Sequence, residues 1–147
     1  QRGTKSPLKS PYELLILSSI IEKETGRASD RGQVSAVFLN RLSKGMPLQT
    51  DPTIIYGIGP HFDGNLRKAD LRRDNPYNTY MHKGLPPTPI AMPSRESILA
   101  VLHPVKSSAL YFVAKGDGSS HFSSTLGEHE KAVDRYQRKA FSKVDQH

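Results

Sequence analysis

The sequence predicts a mainly helical α+β domain, and three observations carry that prediction. Apolar residues recur at helical spacing in four segments, each marked by capping or stop residues. Two short runs, Leu110–Ala114 and His121–Ser124, flank a Gly-rich turn in the pattern of a β-hairpin. Between these parts, Tyr56 to Pro93 is so punctuated by Gly and Pro that only short helices fit there.

The first helix opens at Ser10. Ser10 is a natural N-cap, Pro11 suits the first helical position, and Glu13 completes an S-x-x-E capping box. Leu14, Leu17, Ile20 and Ile21 form its apolar stripe, and Gly26 offers a left-handed stop. A second helix starts near Ser29–Asp30, carries Val34, Val37, Phe38 and Leu42, and ends at Gly45. In the Gly/Pro-rich middle, Asp51-Pro52 can open a short helix and Lys68–Leu71 can lie in another. Loops this long in a compact domain are usually functional. A helix after Ser94 is expected to bury Ile98, Leu99, Val101 and Leu102 and to stop before Pro104. After the hairpin, Thr125-Leu-Gly-Glu128 forms a second capping box, opening a helix with Ala132, Val133, Tyr136 and Ala140 on one face.

The chain has 147 residues, which implies one domain. Residues 1–9 read as a flexible lead and residues 10–147 as the folded unit. With no Cys, disulfide scaffolds, Cys-ligated zinc, iron–sulfur clusters and thiol nucleophiles are excluded. The longest strongly apolar run, Leu14–Ile21, contains two serines and falls far short of the ~20 residues that span a bilayer. Because the chain opens at Gln1 without Met, it is expected to be a fragment.

A net charge of +7 points to an anionic partner: nucleic acid, a membrane surface, or an acidic polymer such as cell-wall glycan. The basic residues are scattered, with no Lys/Arg block of nucleic-acid-patch length, which argues against nucleic acid. The six histidines lack metal-ligand spacing, and neither a nucleophile elbow nor a P-loop is present.

The most informative chemistry lies at the end of the first helix. At about 100° per residue, Glu24 falls near 280°, inside the stripe defined by Leu17, Ile20 and Ile21, whereas Glu22 falls near 80°, outside it. A carboxyl held against apolar walls resists ionisation and stays protonated closer to neutral pH, as a general acid requires. The bland alternative is a buried Glu24 paired with an arginine such as Arg41. The middle of the chain adds Gln49, Thr50, Asp51, Tyr56, Tyr77, Asn78 and Tyr80, side chains that suit sugar hydroxyls, acetamides and pyranose faces. Each also has an ordinary reading as a turn or capping residue, Asp51 above all as an N-cap before Pro52.

Ile20-Ile-Glu-Lys-Glu-Thr25, Val37-Phe-Leu-Asn-Arg-Leu42, Leu48-Gln-Thr-Asp-Pro-Thr53 with Tyr56-Gly57, Tyr77-Asn-Thr-Tyr80 and Gly84-Leu-Pro-Pro87 occur in the order seen in the YceG-like, endolytic murein transglycosylase family. The resemblance runs from about Ser10 to Arg138. It implies a lysozyme-like transglycosylase catalytic domain that cleaves the MurNAc–GlcNAc β-1,4 bond of nascent peptidoglycan. It implies no cofactor. It also implies a bacterial enzyme anchored in the inner membrane and facing the periplasm, with a LysM-like subdomain upstream and a penicillin-binding glycan synthase as partner. By the same similarity Glu24 is the catalytic acid, with Glu22 the alternative. Gln49 then lies where related enzymes place a substrate-binding Gln, and Tyr77-Asn78 match their Tyr-Asn motif. Competing readings are a hydrolytic muramidase, with Asp51 or Glu22 as second carboxylate, and a non-catalytic glycan-binding module.

Overall fold

The computed structural model describes residues 6–24 and 27–138. Six α-helices and one two-stranded antiparallel sheet make up the described part, in agreement with a mainly helical α+β domain. In chain order these are α1 (Pro11–Glu24), α2 (Arg31–Lys44), α3 (Asp51–Ile58), α4 (Lys68–Arg72), α5 (Arg95–Leu102), β1 (Tyr111–Ala114), β2 (Ser120–Ser123) and α6 (Leu126–Val133). A turn of π-helix, Asp134–Arg138, continues α6.

The helix ends follow the capping chemistry of the sequence. Ser10 Oγ accepts the Glu13 N–H at 3.2 Å. The Glu13 carboxylate, however, takes the Lys9 N–H at 2.8 Å, so the bond expected at Ser10 falls one residue earlier. Gly45 ends α2 at φ 71°, a left-handed position suited to glycine. Ser94 and Thr125 cap α5 and α6, and Glu128 completes the box at Thr125. Gly26 and Ala140 lie outside the described residues.

Ile16, Leu17, Ile20 and Ile21 of α1 form the centre of the core with Val34 and Phe38 of α2, Leu48, Ile90 and Val101. The two serines of the apolar run are wholly buried, and each closes a bond back onto α1: Ser18 Oγ to Leu14 O and Ser19 Oγ to Ile16 O. Ser19 Oγ also accepts the Ile90 N–H at 2.9 Å, which pins the Pro-rich segment across the helix. Phe38 meets Phe112 edge-on at 5.9 Å, joining α2 to β1.

Two expectations fail on α5. Leu99 and Leu102 are exposed at 39% and 37%, while Ser97, Ala100 and Val101 are buried. The physical reason is size. α5 lies against both α1 and α2 through its small residues, which turns the leucines outward. Asp51 is not an N-cap either. It is the first residue of α3, Thr50 occupies the cap position, and the Thr50 hydroxyl is committed elsewhere.

Candidate active site

The last residue of α1 is Glu24, and its carboxyl lines a cleft of about 290 Å³. The cleft runs between the α1 end, the Leu48–Asp51 segment, α2 and the hairpin with α6. Glu24 Oε2 accepts a hydrogen bond from Thr50 Oγ1 at 2.6 Å. Burial pushes the Glu24 carboxyl above the ordinary carboxylate range; the Thr50 hydrogen bond opposes that, and the charge of Asp51 adds to it. Among the described residues, neither Glu24 nor Arg41 takes part in an ion pair, so the expected pairing alternative does not occur.

Thr50 is held in place by a buried threonine cluster. Its N–H donates to Thr79 Oγ1 at 3.0 Å, its carbonyl accepts from Thr53 Oγ1 at 2.8 Å, and the Thr53 and Thr79 hydroxyls meet at 2.9 Å. Just before it, Gln49 adopts φ 51°, a left-handed conformation that costs a non-glycine residue energy and is held by its N–H bond to Thr79 O. The strained turn leaves Gln49 exposed on the cleft wall while Thr50 points inward.

Asp51 and Tyr80 share the cleft with Glu24. The Tyr80 hydroxyl donates to Asp51 Oδ1 at 2.6 Å. Burial and this bond hold the phenol well above its ordinary range, so it stays a neutral donor.

The remaining predicted residues do not line the cleft. Glu22 points away from the cleft: its Oε1 accepts the Ser94 N–H and the Ser97 hydroxyl, each at 2.8 Å, tying α1 to the start of α5. Those bonds, the Ser94 N–H foremost, hold its pKa down to about 2, the opposite of what a general acid needs. Thr50 and Asn78, expected to meet substrate, are 1% and 2% exposed. Their polar groups are taken up by internal hydrogen bonds. The Asn78 amide donates to Leu71 O and Arg73 O, and its Oδ1 accepts the Tyr80 and Met81 N–H groups, which sets the loop carrying Tyr80. Tyr77 bonds Thr88 through its hydroxyl and packs its ring 5.0 Å from Tyr56, and neither tyrosine lines the Glu24 cleft. Tyr56 lies half-exposed on a separate depression with Lys23, Pro52 and Ile55.

Sequence reasoning missed the opposite wall. Arg41, Tyr111 and His129 come together there, with the guanidinium 5.0 Å over the Tyr111 ring and the His129 ring stacked on it at 5.0 Å. Arg41 appeared only as a possible partner of Glu24. Tyr111 and His129 carried no signal beyond their secondary structure.

The sequence and the fold have known relatives. The chain is 50% identical over 127 residues to an endolytic murein transglycosylase of Bacillus subtilis, covering 86% of this chain and 35% of that one. It is 36% identical over 135 residues to an endolytic murein transglycosylase of Streptococcus pneumoniae, covering 88% of this chain and 24% of the relative. The chain thus spans about a third or less of the length of these curated relatives. A crystal structure of a YceG-like protein from Listeria monocytogenes superposes with a TM-score of 0.77 at 48% identity, over 82% of this chain and 39% of that one. The YceG-like family profile matches residues 1–135, and the chain belongs to that family.

Proposed function

We propose that residues 10–147 form the catalytic domain of a peptidoglycan lytic transglycosylase, with Glu24 as its acid and base. The observation that carries this reading is a single carboxyl of raised pKa, on a cleft wall, with a hydroxyl donor and no cationic partner among the described residues. The endolytic murein transglycosylases among its relatives support the substrate class.

Protonated Glu24 donates to the glycosidic oxygen as the bond from C1 of MurNAc breaks, and C1 passes through an oxocarbenium-like state. The resulting carboxylate takes the proton of the MurNAc C6 hydroxyl, whose oxygen attacks C1 and closes a 1,6-anhydro ring. No water enters, and Glu24 ends protonated as it began. An intramolecular nucleophile gains from its high effective concentration. Asp51, fixed by Tyr80 on the same cleft, offers a carboxyl to the side of the developing cation. Gln49 offers a polar amide to the sugar. An acid at the end of a helix, facing a hairpin across a cleft, is consistent with the lysozyme-like arrangement.

Asp51 also favours one second reading, a hydrolytic muramidase in which it activates water. Mass spectrometry of products from uncrosslinked strands separates the two. Anhydro-ended products about one water lighter than reducing-end products, absent for a folded Glu24→Gln variant, are expected. Reducing-end products would replace the lyase with the hydrolase, and full activity in Glu24→Gln would remove Glu24 from the chemistry.

By the same reading the domain works in the bacterial periplasm at the inner membrane, on strands emerging from a penicillin-binding glycan synthase. No helix among the described residues is long and apolar enough to cross a membrane.

A further inference from the structure

Arg41 poses a physical problem that its contacts within the domain leave half solved. The residue is 7% exposed, yet it lines the cleft. Its Nε–H donates to Leu110 O at 2.7 Å, its Nη1 donates to Pro47 O at 2.7 Å, and its plane lies over Tyr111. These contacts fix the direction of the guanidinium fork. They do not neutralise it, because carbonyl dipoles and a ring face are not a counter-charge. Among the described residues no carboxylate reaches ion-pairing distance, and the hydrogen bonds of the guanidinium run from Nε and Nη1, none from Nη2. Burial even pulls the guanidinium below its usual pKa. A buried cation without an anion is costly, so the cleft is poised to gain from one.

We propose that the free Nη edge of Arg41 is a subsite for a carboxylate of the glycan strand. This rests on the reading of the cleft as a peptidoglycan site and adds what the strand must carry. The rigid fork matches a carboxylate in two-point geometry, which a lysine would not reproduce. Peptidoglycan supplies that group from two sources. A MurNAc without its peptide has a free lactyl carboxylate; a MurNAc with its peptide has that carboxylate locked in an amide but carries the carboxylates of the stem.

The test reads binding rather than turnover, with the Glu24→Gln chain to prevent cleavage. Denuded strands and stem-bearing strands are compared, each as carboxylates and each after conversion of the carboxylates to methylamides, with stem amines acetylated throughout. Neutralisation is expected to weaken binding about ten- to hundredfold for at least one strand type, the loss typical of a charge-assisted hydrogen bond. The strand type that responds identifies the source. Adding Arg41→Gln should make carboxylate and methylamide strands bind alike, and Arg41→Lys should recover only part of the preference. Arg67→Gln, which removes an exposed charge paired with Asp63, should leave the preference intact. Equal binding of carboxylate and methylamide strands by the Glu24→Gln chain overturns the proposal without any change at Arg41. So does a folded Arg41→Gln or Arg41→Lys protein that keeps the full preference. Failure of the wild-type chain to make anhydro ends would strike the lyase reading and leave this binding result standing.

Discussion

Replacing Thr50 with Val isolates one hydrogen bond at the centre of the site. The Thr50 hydroxyl donates to Glu24 Oε2 at 2.6 Å from a position 1% exposed, so water cannot take its place. Valine keeps the shape. The bonds that hold this turn to Thr53 and Thr79 use the Thr50 backbone N–H and carbonyl, so they survive. What disappears is a donor that favours the ionised form of Glu24 against the burial that disfavours it. A hydrogen bond to a charged group contributes roughly 1.5–3 kcal/mol. At 1.36 kcal/mol per tenfold change in proton affinity, the Glu24 carboxyl of the variant should hold its proton to a pH about one to two units higher. The alkaline limb of kcat/KM for anhydro-end formation, which reports loss of the protonated acid, should move up by the same amount. Rates of anhydro-product release followed from acidic to mildly alkaline pH would measure it, with a carbon-13 titration of the Glu24 carboxyl as an independent check. A folded Thr50→Val protein whose limb stays put, or moves to lower pH, would refute the electrostatic account of the site.

The other predictions concern stability and its pH dependence. Because folding raises the Glu24 pKa above its ordinary value of 4.5, the folded chain holds an extra proton above that pH, and the wild-type chain should lose stability as pH rises from there. Glu24→Gln should remove that slope and be the more stable protein near neutral pH, by thermal melts in matched buffers, while making no product. Glu22 has the reverse sign. Its pKa is lowered to about 2, so its contribution is present above about 4.5 and fades as the pH falls toward 2. Glu22→Gln should lower the melting temperature at pH 7 by the equivalent of about 1 kcal/mol, the scale of a lost cap bond. That deficit should shrink in acid, and anhydro-end formation should be unimpaired at permissive temperature. Loss of the chemistry in a folded Glu22→Gln protein would reverse the assignment of the two glutamates.

Much of the fold was legible because its signals are local. Ser10, Ser94 and Thr125 each satisfy N–H groups within about one helical turn, Gly45 needs only its own φ, and the hairpin is announced by its turn. The orientation of α1 follows from spacing alone, and so Glu24 and Glu22 could be set on different faces before either had a partner. The errors on α5 came from treating every leucine as core. Spacing says which residues share a face, and contact with a neighbouring helix says whether that face needs bulk or close approach.

The interior of the site was decided elsewhere. Glu24 meets Thr50 across 26 positions, and Arg41 meets Leu110 across 69. No periodicity in either segment encodes those meetings. Tyr77, Asn78 and Thr50 were read as sugar-facing from residue type, and packing turned their polar groups into the scaffold that presents Asp51, Tyr80 and Glu24. By itself the sequence determined where helices begin and end and which glutamate faces inward, since those depend on bonds and angles within a turn or two. Only the tertiary structure decided that Glu24 has a hydroxyl partner instead of an arginine, and that Arg41 stands on the opposite wall of the cleft without a counter-charge among the described residues. Those outcomes depend on which distant backbone carbonyls and side chains the packed core brings within 3 Å, roughly the reach of a hydrogen bond.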